Sequence, residues 1–223
     1  GGRHRPLSLI TVAIEYAIFG HRPTLSHIIS ALFFGATAVL LYLVLLQFLA
    51  DKKYNRSRYF ITLAATLIFV THPIHTEAVA NIKGRDEILA LLGSLGALYF
   101  AFVGFRQKNW TRHILGALCL FLGLLSKENA ITFVAIIPLS LYFFAQAKAG
   151  EYLKASLPYL GAALLFVLIR SSILGLSLGD PSGELMNNPF LEYQNGQYVA
   201  IGFGAKMATV IYTLGKYVQL LFF

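Results

Sequence analysis

The chain has 223 residues, of which 57% are hydrophobic and only 13% charged. Soluble domains run near 45–50% apolar and about 25% charged. With a mean hydropathy of +0.67, the composition therefore excludes a soluble globular enzyme, a disordered tail and a nucleic-acid-binding module. The net charge of +8 is read as marking the cytoplasmic side of an integral membrane protein.

Residues 6–20 come first. Pro6 suits a first helical turn and Gly20 a stop, and Leu7, Ile10, Ile14 and Ile18 fall on one helical stripe. A segment this short, with Glu15 inside it, does not span comfortably, so an amphipathic helix lying along the outer surface is expected. Apolar segments follow at 25–49, 59–74, 88–105, 114–125, 130–147, 157–176 and 207–223. Joining 114–125 to 130–147 would make one helix of roughly 50 Å, too long for a single crossing. Two crossings meeting at Ser126-Lys127-Glu128-Asn129 are the simpler reading, and a re-entrant first half is the alternative. The expectation is an all-α, polytopic transmembrane bundle of about seven spans, with residues 1–24 as the outer-face helix and 25–223 as the bundle. Gly179-Asp180-Pro181-Ser182-Gly183 and Asn187-Asn188-Pro189 mark turns in an outer loop at about 177–206, with Asp180 and Glu184 read as solvated loop acids.

If all seven segments cross, the loops at 51–58, 106–112 and 148–154 share one side and hold nine of the 18 basic residues. That is a positive-inside pattern. The opposite face collects Glu15, Glu77, Asp86, Glu87, Glu128, Asp180, Glu184 and Glu192, eight of the ten acids, and most of the histidines. A site on that face is expected. Gly93, Ala97 and Ala101 repeat every four residues, the close-packing pattern of membrane helix pairs. Cys119 stands alone in an apolar run and reads as a packing residue.

The densest polar cluster is the run from Thr71 to Glu87, including His72-Pro73-Ile74-His75-Thr76-Glu77 and Gly84-Arg85-Asp86-Glu87. Polar residues at the ends of membrane helices are candidates for function. Glu77 or a histidine suits a general base. His72, His75 and Glu77 are also potential ligands of a divalent cation, but Pro73 interrupts them and the spacing is not i, i+4, which weighs against a metal. Arg85 is a natural grip for phosphate or carboxylate; the plainer reading is a capped turn with Arg85 paired to Glu77 or Asp86 and the histidines bonded to carbonyls. Lys127 beside Glu128 is a hydrated turn, a neutralising pair or an anion holder. Arg170 lies toward the outer end of its segment and either snorkels or faces a polar cavity. Arg3, Arg5 and Arg22 add positive charge on the same side. Arg5, Arg85, Lys127 and Arg170 together form a hypothetical pocket for a phosphate-bearing lipid, with Asp86 and Glu128 supporting them.

The order Arg5-Pro6-Leu7, Phe19-Gly20, His72-Pro73-Ile74-His75-Thr76-Glu77-Ala78-Val79, Gly84-Arg85, Leu125-Ser126-Lys127-Glu128, Asn188-Pro189 and Lys216-Tyr217 resembles the transmembrane and TPR repeat-containing O-mannosyltransferases and their bacterial relatives. These are members of the glycosyltransferase C superfamily. The resemblance implies a membrane enzyme that moves a sugar, usually mannose, from a polyprenyl- or dolichyl-phosphate donor to a protein hydroxyl. The implied partners are membrane lipid, the lipid-linked sugar and a protein acceptor, with no nucleic acid and no firmly implied cofactor. The implied location is the bacterial cytoplasmic membrane, or the endoplasmic reticulum membrane in a eukaryote. It also implies a catalytic acid in a first outer loop, upstream of Arg3, and C-terminal TPR repeats. Both would lie outside this chain, so the chain reads as a fragment expected to be inactive alone. Asn81 stands where many relatives carry an aromatic residue. The competing readings are a transporter or flippase of a lipid-linked or anionic solute, and a silent membrane scaffold for the repeats. Against transport, no internal repeat is visible and the polar clusters gather on one face.

Overall fold

The computed structural model describes residues 5–50, 57–146, 148–175, 188–194 and 197–221. Arg3, Lys52, Lys53, Arg56, Asp180 and Glu184 lie outside the described residues. The chain divides into two compact units, His4–Ile173 and a smaller one formed by Leu174–Phe223 with Gly1–Arg3.

The larger unit is a helical bundle. Helix α1 (Pro6–Phe19) begins at its proline and stops where Gly20 turns left-handed at φ 70°. Helix α2 (Pro23–Phe48) also starts on a proline. Helix α3 (Ser57–Thr71) ends before Pro73, which opens a 3-10 turn, Pro73–His75, leading into the short α4 (Thr76–Ala80). The chain bends by 52° at this break. A second 3-10 turn, Ile82–Gly84, delivers α5 (Arg85–Gln107). Then come α6 (Trp110–Ser126), a 3-10 stretch Glu128–Thr132, α7 (Phe133–Ala145) and α8 (Ala149–Leu174).

Helix α5 is the axis of the bundle, with 61% of its apolar window buried against 17–22% for the other candidate spans. Ala97, Ala101 and Phe102 are fully enclosed. The small-residue stripe read from the sequence faces α6: a Cβ on Gly93 would lie 2.6 Å from the Cys119 carbonyl and 2.8 Å from the Gly123 Cα. The outward faces are apolar, with Leu32, Phe60, Ile68 and Leu168 among the most exposed side chains. Such a surface requires lipid rather than water. The protein is an integral membrane protein.

Among the described residues, four helices are long and apolar enough to cross a membrane, Pro23–Phe48, Ile82–Gln107, Glu128–Ala145 and Ala149–Ile173, and five if the bent pair Ser57–Thr71 and Pro73–Ala80 is one span. The sequence suggested about seven. Helix α6, at 17 residues, is short, yet it runs antiparallel along α5 from Gly104 beside His113 to Gly93 beside Gly123. Two loops expected from charge, 106–112 and 148–154, are largely helical. Lys108 reverses the chain at φ 50° and the Asn109 side chain accepts a hydrogen bond from the Thr111 N–H to start α6, so the turn needs only two residues.

In the smaller unit, β1 (Leu191–Gln194) and β2 (Gln197–Ala200) pair antiparallel, with Leu191 opposite Ala200 and Tyr193 opposite Tyr198. The hairpin falls inside the segment expected as an outer loop at about 177–206. Asn188 and Pro189 do form a turn, with the Asn188 side chain accepting from the Phe190 N–H. Helix α9 (Phe203–Leu220) follows. Among the described residues it is not one of the helices long and apolar enough to cross a membrane, because Lys206, Thr209, Thr213, Lys216 and Gln219 dilute its apolar character.

Candidate functional site

The site lies where α5 begins. Gly84 is required there because a Cβ would clash with the Ala78 carbonyl, so α4, which follows the histidine turn, folds directly onto the start of α5. From that point Arg85, Asp86 and Glu87 reach three different elements. Asp86 and Glu87, in the first turn, also suit the positive end of the helix dipole.

Arg85 is 1% exposed and turns inward. Its Nη1 sits 2.8 Å from Glu15 Oε2 on α1. Its Nε donates to Ser30 Oγ at 3.2 Å and its Nη2 to the Ser26 carbonyl at 3.0 Å, both on α2. Ser26 Oγ donates to the other oxygen of Glu15. Burial works to raise the Glu15 carboxyl, but the Ser26 hydroxyl and the Arg85 guanidinium outweigh it and hold it below the ordinary carboxylate range. The pairing of Arg85 with Glu77 or Asp86 read from the sequence is corrected. Its partner is Glu15, because α1 turns that one acid toward the protein while Ile10, Ile14 and Ile18 face outward.

The other three candidate cations are ion-paired too. Arg5 pairs with Asp86, and Lys127 pairs with Glu87. Arg170 Nε donates to Glu128 Oε1 at 2.9 Å. Lys127 and Glu128 therefore hold partners on different helices instead of each other. Asn129 Nδ2 adds a bond to Glu87 Oε2 at 3.2 Å. The result is a chain of alternating charge across the end of the bundle, joined by the sequence neighbours Arg85-Asp86-Glu87 and Lys127-Glu128. Exposure rises from pair to pair, from 1% and 7% for Arg85–Glu15 through 20% and 9% for Arg5–Asp86 to 22% and 43% for Lys127–Glu87 and 29% and 41% for Arg170–Glu128.

His72, His75 and Glu77 are placed differently. His72 accepts the Ile74 N–H through Nδ1, capping the turn. The His75 ring packs against Phe69 and Phe34, with centroids 4.2 and 5.7 Å away. Both histidines line a cavity of about 440 Å³ with His27 and Thr76. Glu77 lines a neighbouring one of about 470 Å³, again with His27. The histidines and the ion-pair chain thus share one end of the bundle but not one cavity. Among the described residues, no group of three His, Cys, Asp or Glu side chains has metal-binding geometry.

Sequence reasoning missed Ser26, His27 and Ser30; it counted Glu15 among the outer acids and Glu87 in the polar cluster without assigning either a partner. One signal was present. Ser26, Ser30 and Thr37 form a buried small-polar stripe on an apolar helix, the mark of a face that meets another helix.

Comparison with known proteins supplies the context. The human Protein O-mannosyl-transferase TMTC3 is 28% identical over 191 residues, covering 78% of this chain and 19% of its own. The human Protein O-mannosyl-transferase TMTC2 is 28% identical over 186 residues, covering 78% and 21%. The Drosophila melanogaster Protein O-mannosyl-transferase Tmtc1 is 30% identical over 135 residues, covering 59% and 14%. The chain spans about a fifth of the length of the curated relatives it matches. No solved structure matches it. The family described as Dolichyl-phosphate-mannose-protein mannosyltransferase matches residues 3–174, the stretch that holds the charge chain and the histidine turn, and the chain belongs to that family.

Proposed function

We propose that this chain forms part of a membrane mannosyltransferase that moves mannose from a polyprenyl- or dolichyl-phosphate carrier to a protein hydroxyl. The acceptor oxygen attacks the anomeric carbon, the bond from that carbon to the phosphate oxygen breaks, and the lipid phosphate leaves with the bonding pair. The reaction needs a base for the hydroxyl proton and cations for the departing phosphate. The base is the acid that the family resemblance places upstream of Arg3, with His72, His75 and Glu77 as the candidates within this chain. The setting is the endoplasmic reticulum membrane in a eukaryote or the cytoplasmic membrane in a bacterium.

The carrying observation is the gradient of exposure along the charge chain. Surface ion pairs are worth only about 0–1 kcal/mol, and the partly exposed Lys127–Glu87 and Arg170–Glu128 pairs lie nearest that limit, so a phosphate can compete for their cations. Breaking a buried pair costs about 3–5 kcal/mol. By that comparison Lys127 and Arg170 meet the phosphate, and Arg5 lies within reach of it. Arg85 serves by holding the start of α5 in place. Asp86 and Glu128 hold Arg5 and Arg170 until the donor arrives.

The test is mannosyl transfer from dolichyl-phosphate mannose, measured in membranes carrying the full-length protein. Lys127→Gln and Arg170→Gln should each lower transfer by about 100-fold, the scale of losing one charge-stabilising group, at unchanged protein abundance. Glu192→Gln, on the hairpin of the smaller unit, should leave it unchanged. Undiminished transfer in both cation variants would remove the phosphate role and favour a scaffold.

A further inference from the structure

Another cavity lies at the opposite end of the bundle, away from the charge chain. Two helix hairpins turn side by side there. One runs from α5 through the left-handed Lys108 into α6, and the other leaves α7 through Gln146, also left-handed at φ 51°, toward α8. Between them is a space of about 870 Å³, within the range that holds small molecules and head groups.

Its lining is mixed in an informative way. Arg106, Lys108 and Lys154 supply three cations against one carboxylate, Glu151. Glu151 already accepts a hydrogen bond from the Lys148 N–H at 3.1 Å. Among the described residues none of the three cations has a carboxylate partner, whereas each of the four candidate cations of the charge chain has one. Arg106 is fixed in place by Gln47, donating to its side-chain oxygen at 2.8 Å and its carbonyl at 2.7 Å. Phe105, Phe144 and Ala155 give the cavity an apolar wall. Trp110, 47% exposed, stands at its edge, where an indole marks the level of membrane head groups. At the base, the buried His113 ring faces Tyr159, with Nδ1 3.5 Å from the hydroxyl.

Cations with no carboxylate partner among the described residues, above an apolar wall and between helix ends on the basic side, match the head group and glycerol region of an anionic phospholipid. We propose that this cavity is a binding site for an anionic phospholipid head group, separate from the donor site and independent of the transfer reaction.

Trp110 is the only tryptophan in the chain, so its fluorescence reports this cavity directly. The experiment titrates phosphatidylglycerol into the purified chain in neutral detergent, with phosphatidylcholine and inorganic phosphate in parallel. Phosphatidylglycerol should give a saturable change in Trp110 emission, and the other two should not. Each basic residue near an anionic head group is worth roughly fivefold in affinity, so a Lys108→Gln, Lys154→Gln double variant should bind roughly 25-fold more weakly. Lys148→Gln, on the same end but outside the lining, should behave like the parent chain. An equal response to phosphatidylcholine, or an equal loss in Lys148→Gln, would overturn a specific site. A full response to inorganic phosphate alone would overturn the lipid as its ligand.

Discussion

Arg85→Gln is expected to destabilise the bundle by about 3–5 kcal/mol, read as a drop in the denaturation midpoint of the purified chain in detergent. The argument is electrostatic. Arg85 and Glu15 are 1% and 7% exposed, and removing the guanidinium strands a carboxylate away from water with only the Ser26 hydroxyl to hold it. An uncompensated buried charge is costly, while a buried pair and an apolar pair of similar shape come out nearly equal. Replacing both partners, Glu15→Leu with Arg85→Met, should therefore recover most of the loss. The same pair fixes a pH response. The Glu15 carboxyl in the folded protein is held below its ordinary value near 4.5. Its stabilisation is thus complete above that value and is lost as pH falls through the lower, folded value. A melting series from pH 7 down to pH 3 should show a fall in stability beginning below about pH 4.5, and Glu15→Gln should flatten it. A cost under about 1 kcal/mol for Arg85→Gln, typical of a surface pair, would show that this arginine does not tie α1, α2 and α5 together.

What the sequence reveals and what it hides follow from the range of the forces involved. Helix existence is a local matter of apolar run length, so α2, α5, α7 and α8 fall where the segments 25–49, 88–105, 130–147 and 157–176 lie. Punctuation is local too: Pro6, Gly20 and Pro73 each act where they stand. Charged residues were misleading at Arg106 and Arg112, because a helix projecting past the apolar layer carries charge without breaking. The hairpin was legible but unread. Asn195-Gly196 lies between two short alternating runs, a strong hairpin signal. The ion-pair partners are a different matter. That Arg85 meets Glu15, seventy positions earlier, depends on which face α1 turns inward, and no window of sequence contains both. The sequence did bring Glu15, Asp86, Glu87 and Glu128 to one end of the bundle. It could not say that Lys127 holds Glu87 while Glu128 holds Arg170, because Lys127 and Glu128 are adjacent and their separation appears only once α6 and α8 are packed.

Gly93→Leu is expected to abolish assembly of the bundle, and Gly93→Ala to cost about 1–3 kcal/mol, the range for overfilling a packed interior. The first atoms a Cβ would meet are the Cys119 carbonyl at 2.6 Å and the Gly123 Cα and N at 2.8 Å. These are backbone atoms and cannot rotate aside, so the helices themselves must separate. The comparison variant is Gly161→Ala in α8, where nothing lies within 4 Å. It should be neutral or stabilising by about 0.4–1 kcal/mol, because alanine restricts the unfolded chain. Equal melting points for the two alanine variants would show that α5 and α6 do not depend on this contact. The consequence reaches the candidate site. Gly93 is six residues from Glu87, about 9 Å along the helix, and Gly123 is one turn from Lys127. Prising α5 from α6 at Gly93 pulls on the Lys127–Glu87 pair from below. Gly93→Ala should therefore weaken mannosyl transfer by the full-length protein more than its stability loss alone predicts, at a temperature where both forms are folded. In a bundle whose outer faces meet lipid, the α5–α6 contact is the rigid reference against which the cations at the end are positioned, and in the proposed transferase a displacement of an ångström there is enough to lower the rate.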